Sequence, residues 1–183
     1  MDKEKPMKDD TAVALSVLRE AVRNELDGQA MYIQAAERTK DELGKAMFRS
    51  FAQEEEEHLH ILQVQYAEVN ESGEWVDVDA ARKEPPDPKL VLFPQEEGKV
   101  REMIPEGASD LEALRIAIDF ERRAVRMYEQ AASQTDNPTA QTFYRDLADW
   151  EGTHYEVLDN SYDYLANRGE WFFQEQEMPF YIG

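Results

Sequence analysis

Two Glu-x-x-His pairs stand 96 residues apart in this sequence, Glu55–His58 and Glu151–His154, and each has a further glutamate 30 residues upstream, Glu25 and Glu121. The three-residue spacing puts both side chains of a pair on one helix face. Four carboxylates gathered in a core repel one another and are costly to desolvate. They must be protonated, face water or meet cations. Two divalent ions carry enough positive charge to cancel them, and neutral histidine adds a nitrogen ligand without adding charge. A lone Glu-x-x-His is a weak signal. Two of them, each with an upstream partner, read as a ligand set for two metal ions: Glu25, Glu55, His58, Glu121, Glu151 and His154. Oxygen and imidazole donors without thiolate suit iron or manganese, and zinc can occupy the same site.

The elements that must position these residues come from an internal repeat. A shift of 96 residues, without a gap, pairs Leu18 with Leu114, Glu25 with Glu121 and Met31-Tyr32 with Met127-Tyr128. It also pairs Glu55 with Glu151, His58 with His154, and Gly73-Glu74-Trp75 with Gly169-Glu170-Trp171. Each copy reads as a hairpin of two long helices, 10–75 and 109–171, joined by a crossover connector at 76–108. In the first copy, helical apolar spacing runs from about Asp10 to Thr39. Asp41 is placed to cap a second helix reaching about Asn70, with Gly73 as its stop. Ser109 and Glu112 form a capping box, and Asn137-Pro138 opens the last helix, which ends before Gly169. The connector holds Pro85, Pro86, Pro88, Pro94 and Pro105, so a continuous helix is excluded there, though a short one near Glu96 to Met103 is expected.

Along the inward stripes, the six ionisable residues interrupt otherwise apolar rows: Leu15, Leu18, Val22, Glu25, Gln29, Tyr32 in the first helix and Phe48, Phe51, Glu55, His58, Leu62 in the second. The second copy repeats the pattern with Leu111, Leu114, Ile118, Glu121, Val125, Tyr128 and with Tyr144, Leu147, Glu151, His154, Leu158. Tyr32 and Tyr128 fall two turns after Glu25 and Glu121 on the same face. Each is either a phenol hydrogen-bonded to a ligand carboxylate, supporting the chemistry from behind the ligands, or a core aromatic with its hydroxyl satisfied elsewhere. His60 points away from His58, and Glu54, Glu56 and Glu57 read as the wet face of their helix. Trp75 and Trp171 are expected to pack back on the bundle ends, and 172–183 is an aromatic-rich tail.

Composition narrows the rest. Of 183 residues 42% are apolar, enough for a core, and no run approaches the ~20 apolar residues of a membrane span. The net charge of −20, from 40 acidic against 20 basic residues, argues against nucleic acid, which needs clustered Lys and Arg. There are no cysteines, so disulfides, thiolate zinc sites, iron–sulfur clusters and a rubredoxin-type centre are excluded. MDKEKPMKDD is charged, with no apolar stretch of the signal-peptide kind behind it, and the cytoplasm is the simplest location. The connector and tail suggest a homo-oligomer, at least a dimer.

The six residues resemble the ligands of ferritin-like diiron carboxylate proteins, over about residues 12–165. Glu-x6-Tyr in the first and third helices is also typical of them. Within that class the sequence looks most like the rubrerythrin-related proteins, with bacterioferritin sharing the six-ligand set. Rubrerythrins proper carry a further glutamate one turn after the third-helix ligand, where this chain has Ala124, and a rubredoxin module, which is absent. The resemblance implies one all-α, ferritin-like four-helix bundle over 1–183 holding two iron ions. It implies a non-haem diiron oxidoreductase that reduces hydrogen peroxide or dioxygen, as peroxidase or ferroxidase, with electrons from an external donor protein. Iron storage without turnover, a structural bundle holding an inert metal, and a hydroxylase are the other readings.

Overall fold

The computed structural model describes residues 8–85 and 102–171. Four long helices, α1 (Lys8–Arg38), α2 (Glu42–Ser72), α4 (Asp110–Ser133) and α5 (Pro138–Arg168), form the expected all-α bundle, and a short α3 (Val78–Lys83) follows α2. The described residues include no strand. None of the described helices is long and apolar enough to cross a membrane.

Local chemistry sets the boundaries. Asp41 accepts from the Leu43 and Gly44 amides, and Gly73 closes α2 in the left-handed conformation. Ser109 and Glu112 form the reciprocal capping box of α4. Asn137 caps α5 ahead of Pro138, and Gly169 ends it as Gly73 ends α2. The hairpins α1–α2 and α4–α5 are each antiparallel. The connector leaves α2 at one end of the bundle and enters α4 at the other, as a crossover requires. Gln34 fastens its return: the side-chain carbonyl accepts from the Met103 and Ile104 amides, and Ile104 is buried.

The sequence reading put a short helix near Glu96–Met103. Glu102 and Met103 are not helical, and the rest of that stretch, like the 172–183 tail, lies outside the described residues. The connector's described helix is α3 instead. Asp77 caps it by accepting from the Ala80 amide, and Val78 and Ala81 bury themselves against the bundle. Six residues are too few for helical periodicity to register in the sequence.

Trp75 and Trp171 both pack back on the bundle. Trp75 lies edge-on to Phe143 and Tyr144. Trp171 is buried, crosses Phe48 edge-to-face and donates from Nε1 to Asp110. Its seat exists because residue 44 is glycine: a Cβ there would sit 2.6 Å from Trp171 Cζ2 and 2.8 Å from Thr39 Cγ2. Gly44→Ala gains about 1 kcal/mol of helix propensity but loses about 1–3 kcal/mol to overpacking. The expected outcome is a modestly lower melting temperature, read by circular dichroism; an unchanged or raised one would refute the close fit.

Candidate metal centre

The core divides into two apolar clusters. One holds Leu18, Val22, Leu62, Tyr66, Phe143 and Leu147. The other holds Phe48, Phe51, Leu114, Ile118, Leu158 and Trp171. Between them each long helix contributes its polar residues: Glu25 from α1, Glu55 and His58 from α2, Glu121 from α4, Glu151 and His154 from α5. All six are buried, and the two upstream glutamates are wholly enclosed. The repeat explains the convergence, since each stripe is interrupted at the same height.

The six fall into two groups whose ligating atoms lie within 4.8 Å of one another: Glu25, Glu55, His58 and Glu151, and Glu55, Glu121, Glu151 and His154. Glu55 and Glu151 belong to both. Glu151 presents one oxygen to each imidazole, Oε1 at 3.2 Å from His58 Nδ1 and Oε2 at 3.2 Å from His154 Nδ1. Seven buried polar atoms of these residues lack a hydrogen-bond partner: Glu25 Oε2, Glu55 Oε1, His58 Nδ1, Glu121 Oε2, both Glu151 oxygens and His154 Nδ1. Buried polar atoms are rarely left so. Orphaned oxygens and imidazole nitrogens facing one small volume fit cations.

The tyrosines stand behind this set. Tyr32 donates to Glu121 Oε1 and Tyr128 to Glu25 Oε1, each crossing to the other half of the repeat. Side chains on a helix lean toward its N-terminus, so each phenol reaches back to the central layer and meets the facing helix there. Burial, with the Glu121 charge beside Tyr32 and the Glu25 charge beside Tyr128, pushes both phenols well above their usual range and keeps them donors.

Without metal, protons must balance the charge. Burial, aided by the charges of Glu151 and Glu55, holds the Glu25 and Glu121 carboxyls well above their usual range. Glu55 and Glu151 move the other way. Burial opposes their ionisation, but Glu25, His154 and His58 around Glu55, and the two histidines around Glu151, outweigh it. Burial also disfavours imidazolium, yet the carboxylates, Glu151 foremost, carry His58 and His154 well above 6.5. Equal crowding of all four carboxylates would raise every one of them. The split arises because only the shared pair faces both imidazoles.

Glu54, read as wet face, keeps its side chain 41% exposed but also reaches the centre. Glu54 Oε2 lies 3.1 Å from His154 Nε2, and Ser50 Oγ donates to its other oxygen. That pairing spans 100 residues and two helices, and no spacing rule reveals it. Glu56 and Glu57 are exposed, and Glu57 pairs with Arg82. His60 points away from the centre and donates to the Glu84 carbonyl. Ala124, at the position of the extra rubrerythrin glutamate, is buried and offers no ligand.

Comparison with known proteins agrees with this architecture. A solved structure of a hypothetical protein from Pyrococcus furiosus superposes with a TM-score of 0.65 at 23% identity, over 86% of this chain and 92% of that one. At that identity the likeness speaks for the fold alone. No curated protein matches the chain. The family model described as Rubrerythrin matches residues 16–162, which include every residue of the centre. The chain belongs to the rubrerythrin family.

Proposed function

We propose that this protein is a diiron oxidoreductase that reduces hydrogen peroxide or dioxygen with electrons from a separate donor protein. The observation that carries the reading is the closed set of six residues, with two glutamates common to both groups and seven orphaned atoms turned inward. Two ferrous ions bound there would supply two electrons from adjacent positions, so that an oxidant need not be released after one; manganese or zinc are the substitutes the same donors accept.

The chain's own residues divide the work. Glu55 and Glu151, common to both groups, would serve both metal positions, with Glu25 and His58 completing one and Glu121 and His154 the other. Tyr32 and Tyr128 occupy one oxygen of each terminal carboxylate and leave Oε2 for metal. The apolar clusters lie on either side of the layer, and its six residues are buried. With no cysteine in the sequence, re-reduction needs an outside donor. A cytoplasmic homo-oligomer, at least a dimer, completes the proposal.

Ala124 favours a second reading, iron oxidation and uptake without turnover, because the additional carboxylate of full rubrerythrins is missing. Rapid mixing of anaerobically loaded ferrous protein with each oxidant separates the two. Faster oxidation by hydrogen peroxide than by dioxygen, with sustained turnover only when a reductase and rubredoxin are added, is expected. Dioxygen outpacing peroxide would favour the ferroxidase reading, and no redox response would leave a structural metal bundle.

A further inference from the structure

The two halves of the centre are alike in their ligands and unlike behind them. Glu54 and Trp150 occupy the same position of the repeat, 96 residues apart. In one half, the Glu54 carboxylate lies 3.1 Å from the outer nitrogen of His154 and is braced by Ser50. In the other, the Trp150 indole stacks on His58, 4.8 Å between centroids and 17° between planes. The Arg82 guanidinium lies 5.2 Å from the Trp150 ring centre, brought there by α3, and is paired with Glu57. Among the described residues no carboxylate reaches the outer nitrogen of His58.

A carboxylate behind a ligating histidine accepts its N–H, fixes the tautomer that turns the other nitrogen to the metal, and strengthens that nitrogen as a donor. An aromatic ring holds the imidazole plane but does neither. We infer that Glu54 makes the two metal positions unequal, so that the one built on Glu121 and His154 fills first and more tightly than the one built on Glu25 and His58. This rests on the two-metal reading above. Glu54 acts through His154, as a positioning residue.

The test is titration of metal-free protein with cobalt(II), followed by calorimetry and visible absorption, so that no turnover is involved. Wild type should take up two ions in two resolved steps. Glu54→Ala should weaken the tighter step about 10–100-fold, leave the other within about threefold, and draw the two together. Glu54→Gln, which keeps an acceptor oxygen, should recover part of the loss. Glu56→Ala removes an equal charge from the exposed face of the same helix and should change neither step. Circular dichroism of each metal-free variant checks that the bundle is intact. Uptake of two ions with both steps unchanged in Glu54→Ala, or weakened equally, would overturn the inference while leaving the metal centre standing. Loss of the weaker step alone would also overturn it. Failure of the wild type to bind cobalt would overturn both.

Discussion

Metal-free protein loaded with a divalent cation at about pH 6 is expected to release up to about four protons per chain. Two come from the Glu25 and Glu121 carboxyls and two from the His58 and His154 imidazoliums, all of which hold protons more tightly in the fold than in the open chain. The sign of the stability change follows. A raised carboxyl favours folding below its ordinary value near 4.5, and that contribution is lost as pH rises through the folded value. The raised histidines behave alike, with loss above their ordinary 6.5. Glu55 and Glu151, being lowered, lose their contribution as pH falls below about 4.5. The metal-free bundle should therefore be most stable in mild acid and weaken toward neutral and alkaline pH. The loaded bundle needs its ligands deprotonated and should gain. At a hundredfold excess of metal over Kd, each position adds about 2.7 kcal/mol. Two positions correspond to a melting temperature higher by about 10–20 °C at neutral pH, with the gap closing toward pH 5. Calorimetry in buffers of different ionisation enthalpy counts the protons, and melting across pH measures the gap. Equal melting of both forms at every pH, or metal uptake without proton release, would contradict this.

Removing a shared ligand should do more than removing a terminal one. Glu151 turns one oxygen toward the inner nitrogen of each imidazole, at 3.2 Å from both. Glu151→Ala is expected to abolish tight uptake at both positions, since each loses a ligand and the link to its neighbour. Glu121→Ala removes a ligand of one group only and should leave no more than one ion per chain. His60→Ala, whose ring hydrogen-bonds the Glu84 carbonyl outside the centre, should keep two. Elemental analysis after gel filtration gives the three stoichiometries. Two retained ions in Glu151→Ala would remove that residue from the centre. A metal-free Glu151→Ala protein that stays folded is expected in mild acid, where Glu25 and Glu121 hold protons.

Much of this architecture was legible because the signals are local and occur twice. Asp41, Gly73, Ser109 with Glu112, Asn137-Pro138 and Gly169 each end or begin a helix through chemistry contained in a few residues. The six residues of the centre stood out because charge broke four apolar stripes at matching heights. What escaped was contact across elements. Glu54 sits in a run of four glutamates, Glu54 to Glu57, and its neighbours are exposed or ligating; only the packing of α2 against α5 brings it to His154. Trp150 carries no signal in its spacing, and only the packing of α5 against α2 sets its ring on His58. The unequal carboxyls depend on which oxygens face the imidazoles, which the helix period cannot tell.

The central claim is that these six side chains hold two metal ions, and crystals loaded anaerobically with ferrous iron test it most directly. An anomalous difference map at the iron edge is expected to show two peaks per chain, one contacted by Glu25 and His58, the other by Glu121 and His154, with Glu55 and Glu151 touching both. Iron bound elsewhere, with these six side chains unliganded, would contradict it.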